Sequence, residues 1–222
     1  MLSLYFIFFQ FATLIFSVIL HEIAHGYMAE RLGDPTARLA GRLTLNPIRH
    51  IDPFGSVVLP LLLFVSGSPV VLGWAKPVPY NPANLYKDYQ YGSLKVGLAG
   101  PLTNILLFLV FAMFARAGAE AVSLPLIGLF GYIALMNIHL AVFNLLPIPP
   151  LDGSKLLTLI LPARFAHSLE YVGVGGILIV FILLQFFSGV ILSVALGIFR
   201  VVAGDEVLGA VFGVLRFFSG SQ

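Results

Sequence analysis

The sequence predicts an all-α polytopic membrane protein of about five transmembrane helices, with a re-entrant or broken segment and a short extended or β region near its candidate site. Two observations carry this. The 222 residues are 59% hydrophobic and only 10% charged, with a mean hydropathy of +1.00, where soluble domains run near half apolar and about a quarter charged. The apolar residues also gather into runs near the ~20 residues that a membrane helix needs. Such a chain lacks the polar side chains to cover an aqueous surface, and no polar stretch is long enough for a separate soluble domain. The expected surroundings are therefore lipid bilayer, with no nucleic-acid partner. The absence of cysteine excludes disulfides, cysteine-ligated metals and thiol nucleophiles.

Five apolar stretches follow in order. The first, 2–29, has no basic residue before Arg31. It therefore lacks the basic start of a cleaved signal peptide and reads as a first membrane helix kept in the mature protein. The second, 54–72, is interrupted by Pro60 and by Gly67-Ser68-Pro69. The third covers 96–115, the fourth 124–146, and the fifth begins near Val172. Residues 191–203 extend the fifth stretch, start a return span or lie at the interface. Residues 207–218, with Arg216, read as amphipathic and interfacial. One domain over 1–222 is expected, with a core over 1–160 and C-terminal helices over 169–218.

Charge placement orients these stretches. Arg31, Arg38, Arg42, Arg49, Lys76, Lys87 and Lys95 all fall between the first and the third. The positive-inside rule puts such a region in the cytoplasm, at a cell membrane. A single crossing by 54–72 would split these charges between two sides, so that stretch is expected to dip in and return. Irregular backbone at membrane depth must pack on protein or line water. His21 then falls in the cytoplasmic half of the first helix, ten residues before Arg31, or about 15 Å of helix.

The chemistry-bearing residues begin with His21-Glu22-Ile23-Ala24-His25. Histidines four apart on a helix share a face and can ligate one metal. A glutamate beside the first ligand is placed to take a proton from water in zinc hydrolases of this pattern. Ionisable residues cost roughly 2.5–3.5 kcal/mol each at a bilayer centre, so three within five positions mark a functional site by default. A catalytic zinc takes three protein ligands and leaves a fourth position open. Asp152 is the best third donor. It follows Pro147, Pro149 and Pro150, which forbid regular helix, and precedes Gly153, which permits close backbone approach.

His-Glu-x-x-His in the first stretch, Gly100-Pro101-Leu102-Thr103-Asn104 opening another helix, and Asn144 eight residues before Asp152-Gly153 together resemble the site-2 protease family of intramembrane zinc metalloproteases. The resemblance runs from His21 to Leu157. It implies one Zn2+ per chain, Asp152 as third ligand, Glu22 as general base, and Asn144 positioning substrate or stabilising the oxyanion. It implies substrates that are transmembrane segments of proteins, cut within or beside the membrane, and a strand region near 73–82. A short form is expected, since the sequence shows no PDZ-like or CBS-type nucleotide-sensing domain; the oligomeric state stays open.

Residues 73–82, with prolines at 77, 79 and 82, suit either an extended edge for a substrate or a plain loop. Gly97 and Gly100 allow close helix approach, and Asn104 is a candidate to buttress the metal helix. His139 faces either the cavity or a neighbouring helix, with an interhelical hydrogen bond the plainer reading. His50 and Asp52 read as an interfacial cap or an auxiliary at the entrance, and His167 as interfacial. Competing functions are an inactive metal-binding membrane scaffold, a metal transporter, and a different membrane zinc peptidase with a downstream glutamate ligand, for which Glu120 and Glu170 are poorly placed.

Overall fold

A computed structural model describes residues 2–67, 73–118, 123–157, 159 and 173–219. The expected break at Ser68-Pro69, the reading of His167, and the alternative ligands Glu120 and Glu170 lie outside the described residues. The helices are α1 (Leu2–Leu32), α2 (Thr36–Leu39), α3 (Leu59–Val65), α4 (Gly92–Gly118), α5 (Leu124–Asn144), α6 (Ser154–Leu157), α7 (Gly173–Ala203) and α8 (Asp205–Ser219). Among the described residues four segments are long and apolar enough to cross a membrane: Leu4–Leu32, Gly92–Gly118, Leu124–Asn144 and Phe186–Ala203.

Among the described residues the second apolar stretch holds no helix long enough to count as a span. Its helical part runs over Pro53–Val58 and Leu59–Val65, about 20 Å at 1.5 Å per residue. It begins with a π-helical turn over Pro53–Val58, capped by Asp52, whose Oδ1 accepts from the Gly55 amide at 2.6 Å. By residue 74 the chain is back at its point of departure. The Trp74 amide donates to the Gly55 carbonyl at 3.1 Å and the Lys76 amide to the His50 carbonyl at 2.8 Å. Ser56 Oγ donates to the Trp74 carbonyl at 2.8 Å. Both ends of the excursion thus lie at one level, as a re-entrant segment requires.

Among the described residues there is no strand, so the expected β region near 73–82 is not found. Prolines 77, 79 and 82 remove the donors a ladder needs. The amides that remain go elsewhere: those of Trp74 and Lys76 to the loop carbonyls just named, and those of Val78 and Asn81 to carboxylates. This irregular strap starts beside 50–56 and ends against the turn after α1. There α1 stops in a Schellman motif: Gly33, at φ 115, donates to the Glu30 carbonyl and Asp34 to that of Ala29. Buried Asp34 accepts from the Thr36 amide and hydroxyl. It also accepts from the Asn81 amide at 2.6 Å and from Asn84 Nδ2 at 3.0 Å.

One helix boundary differs from the sequence expectation. Gly100–Asn104 does not open a helix; α4 starts at Gly92 and carries Pro101 inside it. The ring removes one intrahelical donor, a loss that membrane helices tolerate when neighbours compensate. Residues 191–203 extend the fifth stretch, because α7 is continuous from Gly173 to Ala203. The apolar face of α8 is taken by protein. Val207, Leu208, Ala210, Val211 and Val214 are buried, and a Cβ at Gly128 or Gly131 of α5 would lie 2.4 Å from Val214 or 2.6 Å from Val211.

By internal contacts the chain forms two compact units, residues 1–17, 102–143 and 189–222, and residues 18–101 and 144–188. The first has an apolar core around Phe108, Ala134, Phe199 and Val211. Within it, Asn104 Nδ2 donates to Asn137 Oδ1 at 2.9 Å, and Asn137 Nδ2 to Ser17 Oγ at 3.0 Å. The second unit holds the re-entrant segment, the strap and the donor cluster described below.

With no native cysteine, Leu45→Cys and Tyr86→Cys, both at exposed positions, should label from the same side of the membrane with an impermeant thiol reagent; labelling from opposite sides would refute the re-entrant excursion. Asp34 supplies a pH dependence. Burial pulls its carboxyl up, but bonds from Thr36, Asn84 and Asn81 outweigh burial and hold it below the usual carboxylate value. A depressed native value stabilises above the unfolded value of about 3.9 and is lost as pH falls through the native one. Thermal melts should show Asp34→Asn less stable than wild type at pH 7, with the gap closing only below about pH 4.

Candidate metal centre

Thr13, Ser17, His21 and His25 are all buried and four residues apart along α1. At 3.6 residues per turn this spacing makes a polar stripe on one face of an otherwise apolar helix. In a chain that crosses lipid, such a stripe has to meet polar partners.

For the two histidines the partner is Asp152. Its Oδ2 lies 3.0 Å from Nε2 of His21 and 3.4 Å from Nε2 of His25. The two Nε2 atoms are 3.0 Å apart, with the rings nearly perpendicular at 86°. Nδ1 of His25 sits 2.7 Å from the Val96 carbonyl. A carbonyl only accepts, so Nδ1 carries a proton and Nε2 is the nitrogen turned toward the cluster, the one whose lone pair a metal would take. Asp152 Oδ2 is buried and, despite its closeness to both rings, has no hydrogen-bond partner. Burial works to raise this carboxyl's pKa; the imidazoles of His21 and His25 outweigh it and hold the group at about 2. It is a carboxylate at neutral pH.

The turn that delivers Asp152 is built by its prolines and glycine. α5 ends at Asn144, and Pro147, Pro149 and Pro150 prevent its continuation. The Gly153 amide closes the turn on the Asn144 carbonyl at 2.7 Å. A Cβ at Gly153 would lie 2.2 Å from the Leu145 carbonyl oxygen, so no side chain fits. α4 lends its small face. A Cβ at Gly100 would lie 2.5 Å from His25 Nε2 and 2.6 Å from His21 Nε2, and one at Gly97 would lie 2.8 Å from Lys155 Cγ. The bare backbone at Gly100 is therefore a wall of the donor cluster.

Two imidazole nitrogens and one carboxylate oxygen, all within 4.8 Å of one another, form a donor set of the kind that holds catalytic zinc while leaving a fourth position open. A buried carboxylate oxygen without a hydrogen-bond donor is what such a cluster shows when its electron pairs are meant for a cation. The residues fit a divalent metal.

The other sequence candidates fall around this cluster or away from it. Oε2 of Glu22 accepts from the Val78 amide at 2.8 Å. Asn144 is half-buried at the end of α5. Fully buried Asn104 reaches α1 through Asn137, at Ser17, one turn before His21. Nδ1 of His139 is buried with no hydrogen-bond partner among the described residues, so the interhelical bond expected of it is not made there. His50, through Nε2 to the Thr44 carbonyl at 2.8 Å, and Asp52 organise the start of the re-entrant segment and are not part of the donor cluster. Sequence reasoning passed over Thr13, Ser17 and Val78. The four-residue polar repeat was a readable signal for the first two; for Val78 the signal was its place between two prolines.

Residues 109–187 match the family model of peptidase family M50. Relatives that bear the name "putative zinc metalloprotease" include the following two. YwhC of Bacillus subtilis is 39% identical over 157 residues, 68% of this chain and 68% of its own length. Rip2 of Mycolicibacterium smegmatis is 31% identical over 168 residues, 76% of this chain and 63% of its own. A zinc metalloprotease of Methanocaldococcus jannaschii, MJ0392, is 25% identical over 162 residues, 71% of this chain and 35% of its own. No solved structure matches the chain.

Removing a donor or filling the notch should empty the cluster. Asp152→Ala and Gly100→Ala are each expected to drop zinc below one tenth of wild-type stoichiometry by metal analysis, with helical content kept. Full zinc in Asp152→Ala would show that the carboxylate is not a ligand.

Proposed function

The chain belongs to peptidase family M50, the site-2 protease family of membrane zinc metalloproteases, and from that premise we propose that His21, His25 and Asp152 hold one Zn2+ at the centre of an intramembrane protease. The observation that supports this most directly is the convergence of three donor groups within 4.8 Å of one another, two of them imidazoles set against the bare backbone of Gly100. Zinc, when bound, acts as a Lewis acid and lowers the pKa of a coordinated water to about 7.

The chain's own residues supply the rest. Val96, through its carbonyl, keeps His25 in the tautomer that offers Nε2. Glu22 takes the proton of the attacking water and returns it to the leaving amine. Asn144 turns its side-chain amide toward the developing oxyanion, a contribution worth roughly 3 kcal/mol in a dry site. Prolines in the strap and after α5 keep the surrounding backbone irregular, which suits a site that takes an unwound peptide rather than a helix. The substrate class is a transmembrane segment of another protein, cut within or beside the membrane. Seven cationic residues from the end of α1 to the start of α4, Arg31 to Lys95, support a cytoplasmic placement of this side of the site in a cell membrane. The whole chain serves as one protease domain.

Glu22→Gln keeps size and hydrogen bonding and removes the base. It should retain zinc and lose about 10²–10⁴-fold in cleavage of a single-span membrane substrate. Wild-type cleavage by this variant would end the assignment of Glu22 as base.

A further inference from the structure

The strap carries one residue whose placement the proposed mechanism has not used. In Lys76-Pro77-Val78-Pro79 the prolines have no amide hydrogen, so Val78 offers the one donor between Lys76 and Tyr80. A residue that precedes proline is held in extended conformation, and both Lys76 and Val78 precede one. The direction of the Val78 N–H is therefore set by a stiff segment. It points at Glu22 Oε2, 2.8 Å away.

Packing holds the same residue from its other side. The Val78 side chain is buried and sits on Gly26, where a Cβ would lie 2.9 Å from Val78 Cγ1 and 2.5 Å from Leu43 Cδ2. Glu22 and Gly26 are four apart and share one face of α1. One face of α1 thus takes the valine's side chain at Gly26 and its amide at Glu22. The strap is pinned on either flank: Arg42 Nη2 donates to the Lys76 carbonyl at 2.7 Å, the Lys76 amide to the His50 carbonyl at 2.8 Å, and the Asn81 amide to Asp34 Oδ2 at 2.6 Å.

We infer that the backbone amide of Val78 is a positioning group for the general base: it fixes Oε2 of Glu22 and leaves Oε1 to take the proton. This rests on the reading of Glu22 as base. A glutamate side chain has several rotamers and would otherwise spread over them. A hydrogen bond from an amide to a carboxylate is among the stronger ones in proteins, and it narrows that spread to one carboxylate placement. The prolines matter because they present the N–H without freedom to turn away.

The test separates the amide from the side chain. Replacing Val78 by its α-hydroxy analogue converts the amide to an ester, which removes the N–H and keeps the isopropyl group. Turnover of a single-span substrate should fall about 10–100-fold, with KM and zinc stoichiometry unchanged. In the purified protein, exchange of the Val78 amide with deuterium should quicken about tenfold or more in Glu22→Ala. An ester variant with wild-type kcat, or an unchanged exchange rate in Glu22→Ala, would overturn the inference. If Glu22→Gln is inactive while the ester variant keeps full turnover, the base assignment stands and the positioning role falls. If Glu22→Gln cleaves like wild type, the base assignment itself has failed.

Discussion

The hydrogen bond from His25 Nδ1 to the Val96 carbonyl is the contact on which the site's arrangement depends. It ties α1 to α4, chooses the imidazole tautomer, and turns Nε2 toward Asp152. The approach it needs exists only because Gly100, one turn beyond Val96, carries no side chain. The carbonyl of Val96 also serves α4's own ladder, so the bond to histidine uses its second lone pair. Backbone rather than a second carboxylate orients the ring, and a burden of further buried charge in a membrane segment is avoided.

The wider organisation follows from the same constraint. Lipid offers no hydrogen bonds, so each buried polar group must find one in the protein. Ser17, Asn104 and Asn137 satisfy one another inside the first unit. The strap's amides, robbed of a ladder by prolines, are satisfied by loop carbonyls and by two carboxylates, Glu22 and Asp34. Among the described residues four buried side-chain atoms have no hydrogen-bond partner, Arg42 Nε, His50 Nδ1, His139 Nδ1 and Asp152 Oδ2, and of these Asp152 Oδ2 alone belongs to the donor cluster.

Much of the fold was legible because its signals are local or additive. Helix length and apolarity announce α1, α4, α5 and α7, and the placement of seven cations led to the expectation that 54–72 turns back, with which the bonds from Trp74 and Lys76 to Gly55 and His50 agree. What misled was equally physical. Three prolines in ten residues suited an extended edge or a plain loop alike, and proline strips the amides a strand would pair. Gly100-Pro101 read as a helix start, since proline favours first turns, but α4 had already begun at Gly92. The amphipathic α8 looked made for an interface, and Gly128 and Gly131 of α5 offered its apolar face a closer seat.

The sequence by itself determined the chemistry on offer: two imidazoles on one helical face, a glutamate beside them, an aspartate in a proline-bound turn, and a chain too apolar to live in water. These are properties of spacing and composition, and they survive any arrangement of the helices. Tertiary structure alone decided which atoms meet. That His25 Nδ1 finds Val96, that Gly100 is a wall rather than a hinge, and that Val78 offers its amide to Glu22 are matters of ångströms between residues 56 to 75 positions apart. Contacts of that range come from packing, because only the folded chain sets which backbone carbonyls and amides lie within reach of which side chains.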